Sequence, residues 1–112
     1  MQSETISIFV HREPVGLGDN NDDLPDKFAL DQNYPNPFNP VTMINYQLPM
    51  INHVELSIYN LLGQKISTLI SERQQAGYYE VQWDASGFSS GVYYYRIIAG
   101  EFEQIRKMVL IR

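Results

Sequence analysis

Val92-Tyr93-Tyr94-Tyr95-Arg96-Ile97-Ile98-Ala99-Gly100-Glu101-Phe102-Glu103-Gln104-Ile105-Arg106-Lys107-Met108-Val109-Leu110-Ile111 decides the fold. Val92 to Ala99 is β-branched, aromatic and apolar at both parities, the mark of a strand with neighbours on either side. Gly100-Glu101 interrupts it with glycine first, the order a two-residue type II′ turn prefers. Phe102 to Ile111 returns as the last strand. Its parity is open between Met108 and Val109, because a bulge would shift every later side chain to the other face. No window of ten residues carries a helical period.

Upstream of this hairpin the same grammar repeats. Thr42, Ile44, Tyr46 and Leu48 alternate with Met43, Asn45 and Gln47, and Pro49 closes the run. Val54, Leu56 and Ile58 alternate with His53, Glu55, Ser57 and Tyr59. Asn60-Leu61-Leu62-Gly63 reads as a turn, Gln64 to Ile70 as a third strand, and Tyr79, Val81 and Trp83 mark a fourth. The expectation is an all-β chain: an antiparallel, immunoglobulin-like β-sandwich of about six or seven strands. Its predicted core is Ile44, Tyr46, Val54, Leu56, Ile58, Val81, Trp83, Tyr93, Tyr95 and either Met108 or Val109.

The flanks read differently. Residues 1–13 contain Thr5 to Val10, an alternating run that fits the end of an upstream domain or an extra strand. Residues 14–27 form an acidic linker with Pro14, Gly16, Gly18 and Pro25 as breakers. Asp19-Asn20-Asn21-Asp22-Asp23 holds oxygen donors but lacks the frame of a calcium loop, so a solvated spacer is the expected reading. The domain proper is expected over 28–112.

Composition excludes several functions. The chain has 112 residues, no cysteine and a formal net charge of −5. Disulfides and thiolate metal sites are therefore absent, and an acidic chain is a poor ligand for phosphate backbones, so no nucleic-acid partner is expected. No apolar run approaches the ~20 residues of a membrane span, and no signal-peptide pattern is present. His11 and His53 lie in separate segments. Ser89-Ser90-Gly91 lacks a nucleophile frame, and Glu101 and Glu103 flank a hairpin tip. No catalytic residue, cofactor or metal set is expected. Charge is instead polarised: residues 105–112 carry three basic side chains and no acid, whereas 19–31 carry five Asp and one Lys.

Between linker and sandwich stands Leu30-Asp31-Gln32-Asn33-Tyr34-Pro35-Asn36-Pro37-Phe38-Asn39-Pro40. Its prolines fix φ and remove backbone donors, and each pushes the preceding residue toward extended geometry. Asparagines can bond nearby backbone. A rigid, extended loop results, with Tyr34 and Phe38 expected as apolar pegs.

The run Asn33 to Pro40 resembles the opening motif of the C-terminal sorting domains, type A, of the type IX (Por) secretion system. Four more segments match in order: Val54 to Gln64, Ala76 to Asp84, Ser90 to Arg96, and Arg106 to Arg112. The resemblance implies a non-catalytic address that directs a secreted cargo across the outer membrane. It implies as partners an upstream cargo domain, the outer-membrane translocon, shuttle proteins and a surface peptidase. Localisation would be the periplasm in transit, then the cell surface or medium. Candidate recognition residues are Arg106, Lys107 and Arg112 for charge, with Gly91 and Gly77 holding backbone geometry.

Two alternatives stand beside it. Gly77 to Asp84 and Ser90 to Tyr93 are also similar to the immunoglobulin-like domain of flagellar hook-capping proteins, a spacer or assembly surface. Outward-facing Tyr59, Tyr78 and Tyr94 would suit a carbohydrate-binding accessory module if they formed a strip.

Overall fold

A computed structural model describes the backbone of Ile8–Val10 and the whole of residues 24–112. The acidic cluster 19–23, with its calcium question, lies outside the described residues. Eight strands make two four-stranded sheets. They are β1 (Ile8–Val10), β2 (Ala29–Leu30), β3 (Val41–Leu48), β4 (Asn52–Tyr59), β5 (Lys65–Gln74), β6 (Gly77–Asp84), β7 (Gly91–Ala99) and β8 (Phe102–Leu110). Sheet A runs β1-β6-β3-β2 and sheet B runs β5-β4-β7-β8, all neighbours antiparallel.

Sequence punctuation explains the ends. Pro40 and Pro49, which cannot donate to a ladder, flank β3. Gly100, at φ +63°, opens the turn between Ala99 and Phe102; a Cβ there would sit 2.7 Å from the Asn52 side chain. Asp84 accepts from Ser86 N at 3.0 Å and shapes the turn that leaves β6. The third long strand extends to Gln74, beyond the expected end at Ile70, because its pairing with β4 continues as far as Asn52↔Gln74.

The core lies between the sheets. Every predicted core residue is buried, Ile44, Val54, Leu56, Ile58, Val81, Tyr95 and Met108 completely. The parity question at the end resolves to Met108. β8 pairs with β7 without a bulge from Ala99↔Phe102 to Gly91↔Leu110, which puts Met108 and Leu110 inward and leaves Val109 half-buried. Trp83 is the aromatic hub, with ring centroids 5.8 Å from Phe38, 5.6 Å from Phe88 and 5.9 Å from Tyr93. Tyr93, near the start of β7, donates to Ser89 O at 2.6 Å. That is the tyrosine-corner contact of immunoglobulin-like sandwiches, in which a hydroxyl on this strand pins the chain just upstream.

The three outward tyrosines do not form a strip. Tyr59 and Tyr94 pair across β4 and β7 in sheet B, whereas Tyr78 lies on β6 in sheet A.

Candidate functional site: a proline loop seamed to the last strand

The loop Asn33–Pro40 and the last strand, about seventy residues apart in sequence, share one seam. Along the outer edge of β8 alternate backbone groups face away from β7, and the loop satisfies them. Val109 N donates to Asn36 Oδ1 at 2.9 Å, Phe38 N donates to Val109 O at 2.9 Å, and Ile111 N donates to Phe38 O at 2.9 Å. Gln32 Nε2 donates to Lys107 O at 2.7 Å. Phe38 and Leu110 form a parallel bridge, so the loop acts as a short strand laid along an otherwise open edge. The peptide bonds preceding Pro35, Pro37 and Pro40 are cis.

Phe38 is the peg the sequence suggested: it is buried against Trp83. Tyr34 is not. It pairs with Met43 through mutual backbone hydrogen bonds of 2.9 and 3.0 Å, which turns its ring to the outer face of sheet A, 79% exposed. Strand alternation decides this, since Met43 lies between the inward Thr42 and Ile44.

The buried end of the loop is held by polar groups. Tyr95 Oη donates to Asp31 O at 2.6 Å and accepts from Asn33 N at 2.7 Å. Burial pushes its hydroxyl up to about 12 from 10.0, partly offset by the hydrogen bond from Asn33. Asn33, itself buried, donates through Nδ2 to Thr42 Oγ1 at 2.9 Å and Pro35 O at 3.1 Å, and accepts from Gln32 Nε2 at 2.7 Å. Thr42 Oγ1 donates to Pro35 O at 2.9 Å. The side-chain polar atoms of Asn33, Thr42 and Tyr95 each have a partner, which is the condition for such a network to hold a loop rather than weaken it. Tyr95 was legible as a core residue and Thr42 as a strand residue; nothing local says that their hydroxyls bond the proline loop.

The basic residues divide. Arg106 is half-buried, and its Nε donates to Leu30 O at 2.7 Å, tying β8 to β2. Lys107 is exposed on the outer face of β8. Arg112 is exposed, with Nη1 donating to Phe88 O. Gly91, at φ +153°, lets the chain turn into β7, in a region that L side chains rarely adopt. Gly77 pairs with Leu48 at the opposite end of the sandwich, so it does not share a surface with Arg112.

Register shows what does share one. Val41↔Asp84, Tyr59↔Tyr94 and Gly91↔Leu110 all lie toward the same pole. The proline loop, the Asn60–Gly63 turn, the Ala85–Ser90 turn and Ile111–Arg112 therefore converge there. The Asn60 turn is self-contained: Asn60 Oδ1 accepts from Leu62 N at 2.9 Å and Gln64 N at 3.0 Å, and Gly63 N donates to Asn60 O at 2.9 Å. It leaves Leu61 and Leu62 65% and 82% exposed, with Ile111 also exposed. In the sequence these leucines read only as turn residues, with no local signal of their exposure. Beside them Lys65 Nζ pairs with Glu55 at 2.7 Å.

Among the described residues no group of His, Asp and Glu is arranged to hold a metal, and no helix is long and apolar enough to cross a membrane. No curated protein and no solved structure matches the chain. A protein family does. Residues 32–111, from Gln32 at the start of the seam to Ile111 at its end, match the family described as Secretion system C-terminal sorting domain. With the five motifs in order and the sandwich that joins the first to the last, the chain belongs to that family, the type IX (Por) sorting domains.

Proposed function

We propose that this domain is a non-catalytic export label whose recognised surface is the pole where the family's motifs converge. The observation that carries this is that Leu61, Leu62, Ile111 and Arg112 are all exposed on segments that converge at this pole, with Lys107 on the adjoining face. Exposed leucines contribute nothing to the core, and exposed apolar side chains gathered with charge at one end of a domain are the character of a docking site. Arg106 and Gly91 act beneath this surface, Arg106 by tying β8 to Leu30 and Gly91 by setting the path into β7. Gly77 has a structural part at the far pole.

The partner is the outer-membrane translocon with its shuttle proteins, and the cargo is a domain joined ahead of this one. The cargo passes through the periplasm and ends at the cell surface or in the medium. A surface peptidase would cut in the acidic segment 14–27. Strand addition at residues 107–111 is disfavoured because the proline loop already occupies that edge. Docking through side chains at the pole is the better-supported mode.

The test is a fusion of residues 28–112 to a periplasmic reporter in a bacterium that has the type IX system. Removing 105–112 is a poor variant, since Met108 and Leu110 are completely buried and their loss unfolds the sandwich. Lys107→Glu with Arg112→Glu keeps the core and is expected to abolish most surface delivery. Delivery at the parental level would refute the basic contribution.

A further inference from the structure

The outer face of sheet A carries a second set of groups, apart from Leu61, Leu62, Ile111 and Arg112, on which the proposed sorting surface rests. Among the described side chains Tyr34 and Tyr78 are its exposed aromatics, at opposite corners. Tyr34 pairs with Met43 on one side of β3, and Tyr78 pairs with Gln47 on the other. Two strand spacings and four residues of rise separate them, about 17 Å along the diagonal. Between them lie Asn45 opposite Glu80 and Met43 opposite Gln82. Asp31, Asn45, Gln47, Tyr78 and Glu80 line a shallow depression of about 320 Å³.

We propose that this face binds a neutral, linear oligosaccharide. Tyrosine supplies a flat apolar body with a polar tip, the surface against which the C–H face of a sugar ring packs. Carboxylates and side-chain amides supply both donors and acceptors for ring hydroxyls. Asn45, Glu80 and Gln82 alternate with the buried Ile44, Val81 and Trp83 and so turn their side chains to this outer face. Charge selects the ligand. Among the described residues Asp31, Glu80 and Asp84 are the ionised groups of the face, and Lys27 stands only at its margin, where its carbonyl accepts from Gln47 Nε2 at 3.0 Å. Phosphorylated, sulfated or uronate-rich chains are repelled by that set. The diagonal between the tyrosines suits several rings in a row rather than one sugar.

Affinity electrophoresis of the full chain through gels holding soluble xylan, mannan or mixed-linkage glucan tests this. Retardation by at least one of these polymers is expected. Tyr34→Ala and Tyr78→Ala, both exposed and so neutral to folding, should each weaken the apparent affinity at least about tenfold, since each removes an aromatic platform. Tyr94→Ala, on the other sheet, should leave it unchanged. Unretarded migration in every gel overturns the proposal. So does retardation that survives the Tyr34→Ala/Tyr78→Ala double variant, or affinity confined to a polycationic peptide.

Discussion

The proline loop and the Asn60 turn lie at one pole, and both belong to the family's motifs, but they are built on opposite plans. The proline loop is bound to elements far away in sequence: Phe38 reaches Trp83, Asn33 reaches Thr42 and Tyr95, and Asn36 reaches Val109. The Asn60 turn bonds almost wholly to itself and turns two leucines to solvent. Phe38, Asn33 and Asn36 in the first are accounted for by folding, although Tyr34 is not. Leu61 and Leu62 in the second are not, and that separates residues that build the surface from residues that form it.

Substitutions should widen this contrast. Phe38→Ala is expected to cost the most, about 3–5 kcal/mol, as a buried aromatic leaves a cavity between Trp83 and β8. A fall in the urea midpoint measures it, and a loss below about 1 kcal/mol would mean that the loop is not a structural part of the sandwich. Asn33→Ala follows at about 1–3 kcal/mol, because Pro35 O and the Thr42 hydroxyl lose a buried partner. Surface loops elsewhere should not respond so strongly.

Tyr95 gives the same seam a pH signature. Its hydroxyl is held neutral by burial, so its folded pKa, about 12, lies above the ordinary 10.0. Between these values the folded state holds a proton that the unfolded chain has released, so stability is full below about pH 10 and falls as pH rises toward about 12. Tyr95→Phe should flatten part of that alkaline decline while lowering stability at neutral pH, because Asn33 N and Asp31 O lose their partner. Unfolding curves at pH 7 and pH 11 for both proteins check this. An equal alkaline decline in the two would contradict it.

The smallest stability effect is expected at the other loop. Leu61→Ser and Leu62→Ser should stay within about 0.5 kcal/mol of the parent in urea, as exposed substitutions away from the core do. A larger loss would make the turn a hidden part of the fold and erase the distinction between the two regions.

The sandwich was legible because alternation has a period of two and prolines and glycines mark its ends. Ile44, Leu56 and Tyr95 could be sided from their neighbours alone. Tyr34 could not, because its direction follows from pairing with Met43, a long-range register that local geometry does not encode. The bond of Arg106 to Leu30 was hidden for the same reason: composition shows a basic tail but not which guanidinium the fold has already engaged. Leu61 and Leu62 looked like ordinary turn filler because exposure depends on what packs over a turn, and here nothing among the described residues does.

Surface delivery of a periplasmic reporter fused to residues 28–112 weighs the converged pole most directly, with the Leu61→Ser/Leu62→Ser/Arg112→Glu variant set against the parent. If the machinery reads this pole, the variant keeps its urea midpoint and the reporter stays in the periplasm. Delivery of the variant at the parental level, with the fold intact, would show that the address is written elsewhere on the domain.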